Sequence, residues 1–393
     1  KASAKTITTP AGLKAELPAP YATEATAKNS KIVDWPSGKT PTAPEGFTVT
    51  KYISDLDHPR WMYQGPNGDI FVAETDKRDK NQITLLRDAD KDGKPEVHKV
   101  FLEKLNMPFG MLILKDKFYV AISDGLWVYP YTVGSMNIDP AKGKKILDLP
   151  AGGYNNHWTR NLLASKDGSK IYVSVGSGSN VAEHGMDNEK RRANILQINP
   201  DGSGEVVYAS GLRNPVGMAW ATGTNTLWTA VNERDNLGDD LVPDYITSVQ
   251  QGGFYGWPFS YYGQNEDPRL KGQNPDLVKK AIVPDVPMGA HTASLGLAFY
   301  GEGNFPAKYK GGAFVGQHGS WNRSKLVGYK VAFVPFKNGK PAGEREDFLT
   351  GFIADESKEQ VYGRPVGVLA AKDGSLLVAD DASNVIWRVA ASK

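Results

Sequence analysis

The chain contains no cysteine among its 393 residues, and this absence excludes several kinds of chemistry. Disulfide bonds, thiolate catalysis, zinc–thiolate sites and iron–sulfur clusters all require cysteine sulfur. A haem attached through a Cys-x-x-Cys-His motif is excluded for the same reason. A chain without cysteine also fits an exported protein.

Excess charge of one sign and long apolar runs are also missing. The chain has 46 basic and 44 acidic residues, so its net charge of +2 does not favour nucleic acid or a membrane surface as a partner. No apolar run approaches the ~20 residues of a membrane-spanning helix. The chain opens at Lys1 without a signal peptide, which predicts a processed, periplasmic protein.

Helical periodicity is nearly absent, and only Asp244 to Val249 and Asp276 to Ala281 are expected to form a helical turn or two. Short apolar segments alternate instead with turns, in a chain that has 42 glycines and 25 prolines. This pattern predicts an all-β protein. Residues 1–45, rich in Ala, Thr, Pro and Lys, are interpreted as an extended N-terminal arm, and residues 46–393 as a single domain.

One theme recurs along the domain: a short opening motif, an apolar strand, a Gly/Asp/Asn turn and further apolar strands. Six such units, roughly 50 to 80 residues apart, predict a six-bladed β-propeller of four-stranded antiparallel blades. A strand near Phe47 to Tyr52 is expected to complete the last blade. Two β-sandwich domains are the alternative, disfavoured because no linker divides the chain. The opening motifs are His58–Trp61, Met107–Gly110, His157–Arg160, Asn214–Gly217, Ala293–Gly296 and Arg364–Gly367.

Opening motifs of a propeller line one end of its channel, where small-molecule sites lie. His157, in the segment NNHWTRN, suits a general base. His318, in GQHGSWNRS, is a second candidate, with Trp321 for stacking and Arg323 for anion binding. The alternatives are a histidine bonded to a neighbouring blade and a tight turn between strands. The residues expected to converge lie around His157, Arg213, Arg364, Trp321 and Arg60.

The stretch from Gly211 to Pro258 concentrates charge. Arg213 and Asn214 precede one predicted strand, and a dense acidic turn follows the next. Because a hairpin returns the chain to the side it left, both groups are expected at one end of a sheet. The cluster could hold an anionic cofactor through a hard metal ion, and an acidic surface loop beside a salt-bridging arginine is the alternative. Its members are Glu233, Arg234, Asp235, Asp239, Asp240 and Asp244.

Other site patterns are incomplete or missing. Asp88, Asp90 and Asp92 resemble the first half of a calcium loop, but Lys99 stands where an EF-hand has its bidentate glutamate. A solvated hairpin turn is therefore predicted there. The chain has no nucleophile-elbow serine, no P-loop and no strand–GxGxxG–helix pattern, which disfavours serine hydrolysis and nicotinamide chemistry.

The segments SGLRNPVGMAW, NERDNLGDDLVPDY and GGFYGWP resemble those of the pyrroloquinoline quinone (PQQ)-dependent sugar dehydrogenases. The resemblance to this soluble glucose and sorbosone dehydrogenase group spans roughly His58 to Val389 and is closest to the sorbosone branch. It implies a six-bladed propeller with PQQ and Ca²⁺ at the channel mouth. It also implies oxidation of a sugar by hydride transfer to the quinone.

The resemblance further implies roles for individual residues. His157 is similar to the family's base, and Arg213, beside Asn214, to the residue that stabilises the developing oxyanion. Arg364 falls where the family places a guanidinium on a PQQ carboxylate, and the other predicted cofactor contacts are Arg160, His318, Trp321 and Arg323. The implied calcium ligands are Asp235 and Asn236 for the cofactor ion, and Asp240 and the Tyr255 carbonyl for a second, structural ion.

Three departures from the glucose-type enzymes disfavour glucose as the substrate. Asn156 and Ser177 stand where those enzymes have aspartates near the base, and His318 and Arg323 stand in place of a lysine in the fifth blade. The expected function is oxidation of a sugar or a sugar-derived aldehyde such as sorbosone, with electrons passing to an external cytochrome or quinone. A calcium-dependent lactonase-type propeller hydrolase and a non-catalytic ligand-binding propeller are the alternatives.

Overall fold

The computed structural model describes residues 3–76 and 81–392. Lys1, on which the prediction of a processed protein rests, lies outside the described residues. The N-terminal strands β1 and β2 pair as an antiparallel hairpin. Ala15 and Leu17 of this hairpin are buried in a hydrophobic cluster of the main body. The predicted arm therefore contributes to the core. The first four strands are β1 (Lys5–Thr8), β2 (Lys14–Leu17), β3 (Lys31–Ile32) and β4 (Phe47–Ile53).

Within the described ranges, three antiparallel sheets follow, each of four consecutive strands. Sheet 1 contains β5 (Pro59–Gln64), β6 (Ile70–Thr75), β7 (Asn81–Arg87) and β8 (Val97–Leu102). Sheet 2 contains β9 (Met111–Leu114), β10 (Lys117–Ile122), β11 (Gly125–Pro130) and β12 (Lys144–Asp148). Sheet 3 contains β13 (Arg160–Ala164), β14 (Ile171–Val175), β15 (Asn194–Ile198) and β16 (Val206–Ser210).

Sheet 4 has a long insertion before its last strand. Its strands are β17 (Pro215–Trp220), β18 (Leu227–Val231), β19 (Pro243–Ser248) and β23 (Val286–Ala290). The insertion carries β20 (Gly253–Phe254), β21 (Ser260–Tyr261) and β22 (Asn265–Glu266). Strand β20 pairs in parallel with β16 and so adds a fifth strand to sheet 3, while β21 and β22 pair as a hairpin.

Sheets 5 and 6 complete the set. Sheet 5 contains β24 (Ser294–Phe299), β25 (Ala313–Gln317), β26 (Lys330–Val334) and β29 (Glu346–Leu349), with a hairpin of β27 (Phe336–Lys337) and β28 (Lys340–Pro341) before its last strand. Strands β30 (Ile353–Asp355) and β31 (Gln360–Val361) form a small sheet with β3. Sheet 6 contains β32 (Pro365–Ala370), β33 (Leu376–Asp380) and β34 (Val385–Ala391). Its fourth strand is β4, antiparallel to β34, which confirms the predicted completion from the other end of the chain.

Helices are short. The segment α1 (Pro275–Val278) confirms one of the two predicted helical turns. The prediction for residues 244–249 is wrong, because most of that segment lies in β19, whose backbone pairs with β18 and β23. No helix in the described ranges has the length and apolarity needed to cross a membrane. The 3₁₀ turns are Pro140–Lys142, Met186–Glu189, Pro268–Leu270, Ala307–Tyr309 and Glu356–Lys358.

The first strands of the six sheets contact one another in cyclic order, from sheet 1 through sheet 6 and back to sheet 1. The glycine of the opening motif permits this approach. A Cβ added to Gly296 would lie 2.1 Å from the Val366 carbonyl oxygen, and one added to Gly217 would lie 2.7 Å from the Leu295 carbonyl oxygen. A Cβ added to Gly110 would lie 2.6–2.8 Å from backbone atoms of residues 160–162. The recurring glycine is therefore required where one first strand meets the next.

One apolar side chain from each opening motif belongs to a single hydrophobic cluster. We call these six residues the axial layer. Within the layer, the rings of Trp61 and Phe109 stack at 4.6 Å, and Phe109 meets Trp158 edge to face at 6.0 Å. The cyclic contacts and the shared layer are consistent with a β-propeller, and a ligand at the centre would rest on the layer. The axial layer consists of Trp61, Phe109, Trp158, Val216, Leu295 and Val366.

Substitution of Gly296 by alanine is expected to destabilise the chain by about 1–3 kcal/mol, because the new methyl group would overlap backbone atoms. Thermal unfolding should show a lower Tm than the unsubstituted protein. Gly152→Ala is the matched control, since a Cβ at Gly152 would meet nothing within 4 Å. Equal Tm values for the two variants would contradict the close approach.

Candidate functional site

The antiparallel pairing places two kinds of residue at one end of each sheet. In sheets 3 and 5, the start of the first strand pairs with the end of the second, as in Arg160 with Val175 and Ser294 with Gln317. Because the first strands also meet at their starting residues, these ends lie side by side. We call the combined surface the rim. It collects residues that precede each first strand and residues that follow each second strand.

His157 lies on the rim of sheet 3 and contacts Ser177. Its Nδ1 lies 2.8 Å from the Ser177 carbonyl oxygen and 3.0 Å from Ser177 Oγ. A carbonyl oxygen can only accept a hydrogen bond, so Nδ1 carries the proton in the neutral ring. The lone pair is then on Nε2, the form that a general base requires. The Ser177 backbone carbonyl thus orients this imidazole.

His157, Arg213 and Asn214 come together on the rim as predicted. A Cβ added to Gly176 would lie 2.2 Å from Asn214 Oδ1 and 2.7 Å from His157 Cβ, so the two side chains flank this glycine. The Ser177 amide donates to the Arg213 carbonyl at 2.7 Å. Asn214 Oδ1 is buried and accepts no hydrogen bond from a described residue. A buried acceptor without a partner is unfavourable, and a bound ligand with a suitable donor would relieve it.

The guanidinium of Arg213 is already committed to protein acceptors. It donates to the carbonyls of Asn180, Asn232 and Glu233 at 2.7–3.2 Å, and it also reaches Asn180 Oδ1 and Asp235 Oδ2. Burial lowers the pKa of Arg213. The side chain therefore positions the turn after β18. The predicted contact with a developing oxyanion would require it to release one of these acceptors.

Arg160 has a structural position in place of the predicted cofactor contact. Its fully buried guanidinium donates to five acceptors of the surrounding protein, among them the His157 carbonyl at 2.9 Å. Burial lowers the pKa of Arg160 to about 9. The side chain therefore stabilises the opening motif of sheet 3 from behind. The other four acceptors are the carbonyls of Ser123, Pro150 and Thr159 and the side chain of Asn155.

The acidic turn after β18 is neutralised by positive side chains of the protein. The Asp235 carboxylate lies 3.5 Å from Arg213 Nη2 and 3.4 Å from His291 Nδ1. Its carbonyl accepts from Arg269 Nη1 at 2.7 Å. Burial by itself lowers the pKa of His291, but Asp235 and the Gly238 carbonyl outweigh burial and raise it overall. Protein cations therefore already satisfy the carboxylate and the carbonyl of Asp235, the first of the predicted calcium ligands.

Two of the other predicted calcium ligands, Asn236 and Asp240, also have protein partners. The Asn236 side chain accepts from Asn322 Nδ2 at 3.2 Å, and Asp240 pairs with Arg323 at 2.8 Å. Tyr255 is buried in the hydrophobic core. As arranged, this donor set does not fit Ca²⁺, which takes six to eight oxygen ligands. This arrangement gives no support to the calcium site predicted at the turn, which stays an untested prediction.

Asp240 and Arg323 do not face the rim around His157. Together they line a cavity of about 960 Å³ between the N-terminal hairpin and sheets 4 and 5. Trp321 is 45% exposed, and its carbonyl accepts from the amide of Lys28 in the N-terminal arm. The aromatic rings that the structure brings to the axis are those of Trp61, Phe109 and Trp158. Stacking by Trp321 and anion binding by Arg323 stay predictions.

Two groups of side chains within the described residues have metal-ligand spacing. One is Asp57, His58 and Asp76 on the rim of sheet 1, and the other is Asp88, Asp90, Asp92 and Glu96 in the hairpin between β7 and β8. In the hairpin group Asp88 is partly buried, and the other three side chains are exposed. A hydrogen bond to Glu96 raises the pKa of Asp90 to about 6. A solvated acidic hairpin, as predicted from the sequence, agrees with this exposure.

His318 lies on the rim of sheet 5 and is paired with a carboxylate that sequence reasoning missed. Its Nε2 lies 2.8 Å from Asp381 Oδ1, and Asp381 Oδ2 accepts from Arg60 Nη1 at 2.8 Å. Burial, reinforced by Arg364, lowers the pKa of His318 to about 4. Burial alone would raise the pKa of Asp381, but His318 and Arg60 hold it well below its usual range.

Arg60 and Arg364 retain donors for a ligand. Arg364 donates through Nε and Nη2 to the carbonyls of His318 and Gly319, and Arg60 donates through Nη1 to Asp381. No described residue accepts from Arg364 Nη1 or Arg60 Nη2, and neither atom is buried. The Arg60 guanidinium lies 5.3 Å from the Trp158 ring centre. Two such guanidiniums beside an aromatic surface fit a planar polycarboxylate.

Asp381 could have been found from the repeat. It comes directly after the second strand of sheet 6, and Ser177 and Glu233 come two residues after the second strands of sheets 3 and 4. A comparison of the polar residues that follow each second strand would have identified it. Its partners could not have been found in this way, because His318 is 63 positions away in the chain.

Stability should fall as the pH is lowered from about 6.5 toward 4, because the unfolded chain then binds a proton that folded His318 does not. The lowered pKa of His318 corresponds to a loss on the order of 3 kcal/mol. The facing charged groups are Asp381, Arg364 and Arg60. Urea unfolding at pH 7 and pH 4.5 should therefore show a smaller acid-induced loss in His318→Gln than in the unsubstituted protein. His98→Gln, in an exposed position of β8, is the control; identical losses in all three proteins would contradict the lowered pKa.

The family model described as TrAA12-like matches residues 41–250 and 266–392. A Borreliella burgdorferi protein described as uncharacterized is 29% identical over 358 residues, which are 88% of this chain and 89% of that protein. A pyrroloquinoline quinone-dependent pyranose dehydrogenase of Coprinopsis cinerea is 25% identical over 404 residues and 87% of this chain. The aligned part is 53% of that relative, so the chain spans about half its length.

Solved structures of similar proteins show the same fold. The calcium structure of Trichoderma reesei Carbohydrate-Active Enzymes Family AA12 matches with a TM-score of 0.78 at 18% identity, over 93% of this chain and 100% of that one. The holo form of the pyranose dehydrogenase PQQ domain from Coprinopsis cinerea matches with a TM-score of 0.74 at 22% identity, over 89% of this chain and 97% of that one. The sorbosone branch is not among these matches.

Proposed function

The chain belongs to the TrAA12-like family, and on this basis we propose that it is a PQQ-dependent oxidoreductase that oxidises a sugar or a sugar-derived aldehyde. The names of its relatives support sugar oxidation with PQQ. A sorbosone-like aldehyde as substrate, an external cytochrome or quinone as electron acceptor and a periplasmic location are further parts of the proposal. We also infer that the six sheets are the six blades of a propeller.

One observation carries the proposal: the rim joins an oriented imidazole, a buried acceptor with no partner among the described residues, and guanidiniums with available donors. These are His157, Asn214 Oδ1, and Arg60 with Arg364. PQQ is a flat tricarboxylate, so it matches the guanidiniums by charge and the axial layer by shape. The residues present therefore fit PQQ, and Arg60 and Arg364 are the residues proposed to hold its carboxylates.

Bound PQQ would supply a two-electron acceptor for hydride. His157 would accept the proton of the reacting hydroxyl group at Nε2, because the Ser177 carbonyl fixes the proton of the neutral ring on Nδ1. Arg160 would keep the ring in place through the His157 carbonyl. No step is assigned to Ca²⁺, since the turn proposed to hold it is already paired with protein cations.

Reconstitution with PQQ is expected to produce sugar-dependent reduction of an artificial dye. His157→Ala should then lower kcat by about 10²- to 10⁴-fold, the usual contribution of a general base. PQQ affinity, measured by quenching of protein fluorescence, should stay close to that of the unsubstituted protein. His98→Ala, at an exposed position of β8, is the matched control and should retain full activity.

The outcomes separate the alternatives. Near-normal turnover in His157→Ala would remove it as the base. Tight PQQ binding without dye reduction across aldoses, ketoaldehydes and alcohols would count against the proposed substrates. Sugar binding with neither quinone binding nor dye reduction would favour a non-catalytic propeller. Hydrolysis of lactones by the protein with Ca²⁺ alone would favour the hydrolase alternative.

A further inference from the structure

His318 is a rigidly held imidazole on the part of the rim formed by sheets 5, 6 and 1. Its amide donates to the Ala293 carbonyl at 2.9 Å, and its carbonyl accepts from Arg364 Nε at 2.9 Å. The ring is fixed separately, through the 2.8 Å contact of Nε2 with Asp381 Oδ1. Main chain and side chain are therefore both anchored, as expected of a residue that orients a ligand.

The Asp381 carboxylate decides which ring nitrogen carries the proton. Arg60 pairs with its second oxygen, which stabilises the ionised form, and an ionised carboxylate can only accept hydrogen bonds. Nε2 of His318 must therefore donate. In the neutral ring the lone pair then lies on Nδ1.

Nδ1 of His318 is available to a ligand. No described residue donates to it, and it is not among the buried atoms that lack a partner. The side chain is 15% exposed, so the accessible part of the ring includes this acceptor. Arg60 links it to the rest of the site, because its guanidinium contacts the ring of Trp158, next to His157.

A neutral ring with only Nδ1 open accepts a hydrogen bond and cannot donate one. Carboxylate and quinone oxygens are themselves acceptors, so they gain nothing from this atom. A sugar hydroxyl group can donate to it. This chemistry disfavours a contact of His318 Nδ1 with the carboxylate or quinone oxygens of the cofactor.

We propose that His318 binds the substrate instead of the cofactor: Nδ1 accepts a hydrogen bond from a sugar hydroxyl, and Asp381 is the positioning residue that sets the required tautomer. The proposal rests on the proposed function only in taking a sugar as the ligand. It separates two roles on one rim. His157 accepts the proton of the reacting hydroxyl, while His318 recognises a hydroxyl that keeps its proton. The low pKa of His318, lowered by burial and by Arg364 and partly offset by Asp381, keeps the ring neutral at ordinary pH.

The tautomer can be measured without any cofactor. Long-range ¹H–¹⁵N NMR on the full chain with ¹⁵N-labelled histidine should show His318 with its proton on Nε2 at pH 7, the resonance being assigned through His318→Leu. Addition of the sugar substrate, with or without PQQ, should shift the Nδ1 resonance. Asp381→Asn should weaken or reverse the tautomer preference. A proton on Nδ1 in the unsubstituted protein, or no sugar-dependent shift, would overturn the proposal.

Kinetics of the reconstituted enzyme provide a second test. His318→Leu should raise KM by about tenfold, as expected for the loss of one hydrogen bond. The effect on kcat should be much smaller than that of His157→Ala, and the Kd for PQQ should be unchanged. Asp381→Asn should move KM in the same direction. His98→Leu, in the exposed position of β8, is the control.

The two proposals can fail separately. A PQQ Kd raised tenfold in His318→Leu with an unchanged KM would overturn the substrate role and restore the cofactor contact. If the unsubstituted protein oxidises no sugar but the sugar still shifts the His318 Nδ1 resonance, the proposed function fails while the hydroxyl-binding role stands. If His318→Leu does not fold, His318→Gln assigns the resonance, and the tautomer and the sugar-dependent shift in the unsubstituted protein still decide the matter.

Discussion

The close approach of six first strands is the constraint on which the structure depends. Where Gly217 meets Leu295 and Gly296 meets Val366, backbone atoms occupy the space that a Cβ would need. The strands can therefore meet only with glycine at these positions. Their apolar neighbours form the axial layer, and the polar residues of the opening motifs are left on the rim. The site is thus a consequence of the packing beneath it.

Charge on the rim is divided between residues that stabilise the protein and residues that remain open to a ligand. Arg160 and Arg213 are buried and donate to backbone carbonyls, so they stabilise the turns on which His157 and Asn214 lie. Arg60 and Arg364 also contact protein groups but retain donors. The difference lies in how the hydrogen-bond donors of each guanidinium are satisfied. A buried guanidinium needs protein acceptors, whereas a partly exposed one can exchange water for a ligand.

The sequence predicted the sheets well because strand alternation and turn residues are local signals. It predicted the pairing of β4 with β34 from the shortage of strands in the last unit. The helical turn at 244–249 was wrong because the segment forms the central strand β19, and pairing on both sides outweighs a short local pattern. The N-terminal hairpin was missed, since Ala15 and Leu17 acquire their apolar neighbours only in the folded chain.

By itself, the sequence determined the repeat, the opening motifs and the family, because each of them can be recognised from short continuous segments of the chain. It also predicted that His157, Asn214 and His318 belong to one site. Only the tertiary structure decided how these residues and their neighbours are hydrogen-bonded. The N–H groups of Arg160 and Arg213 all donate to protein acceptors, and Asp381 sets the tautomer of His318, which is 63 positions away in the chain. A hydrogen bond depends on distance and direction in space, and for partners so far apart in the chain only the closed arrangement of the sheets establishes both.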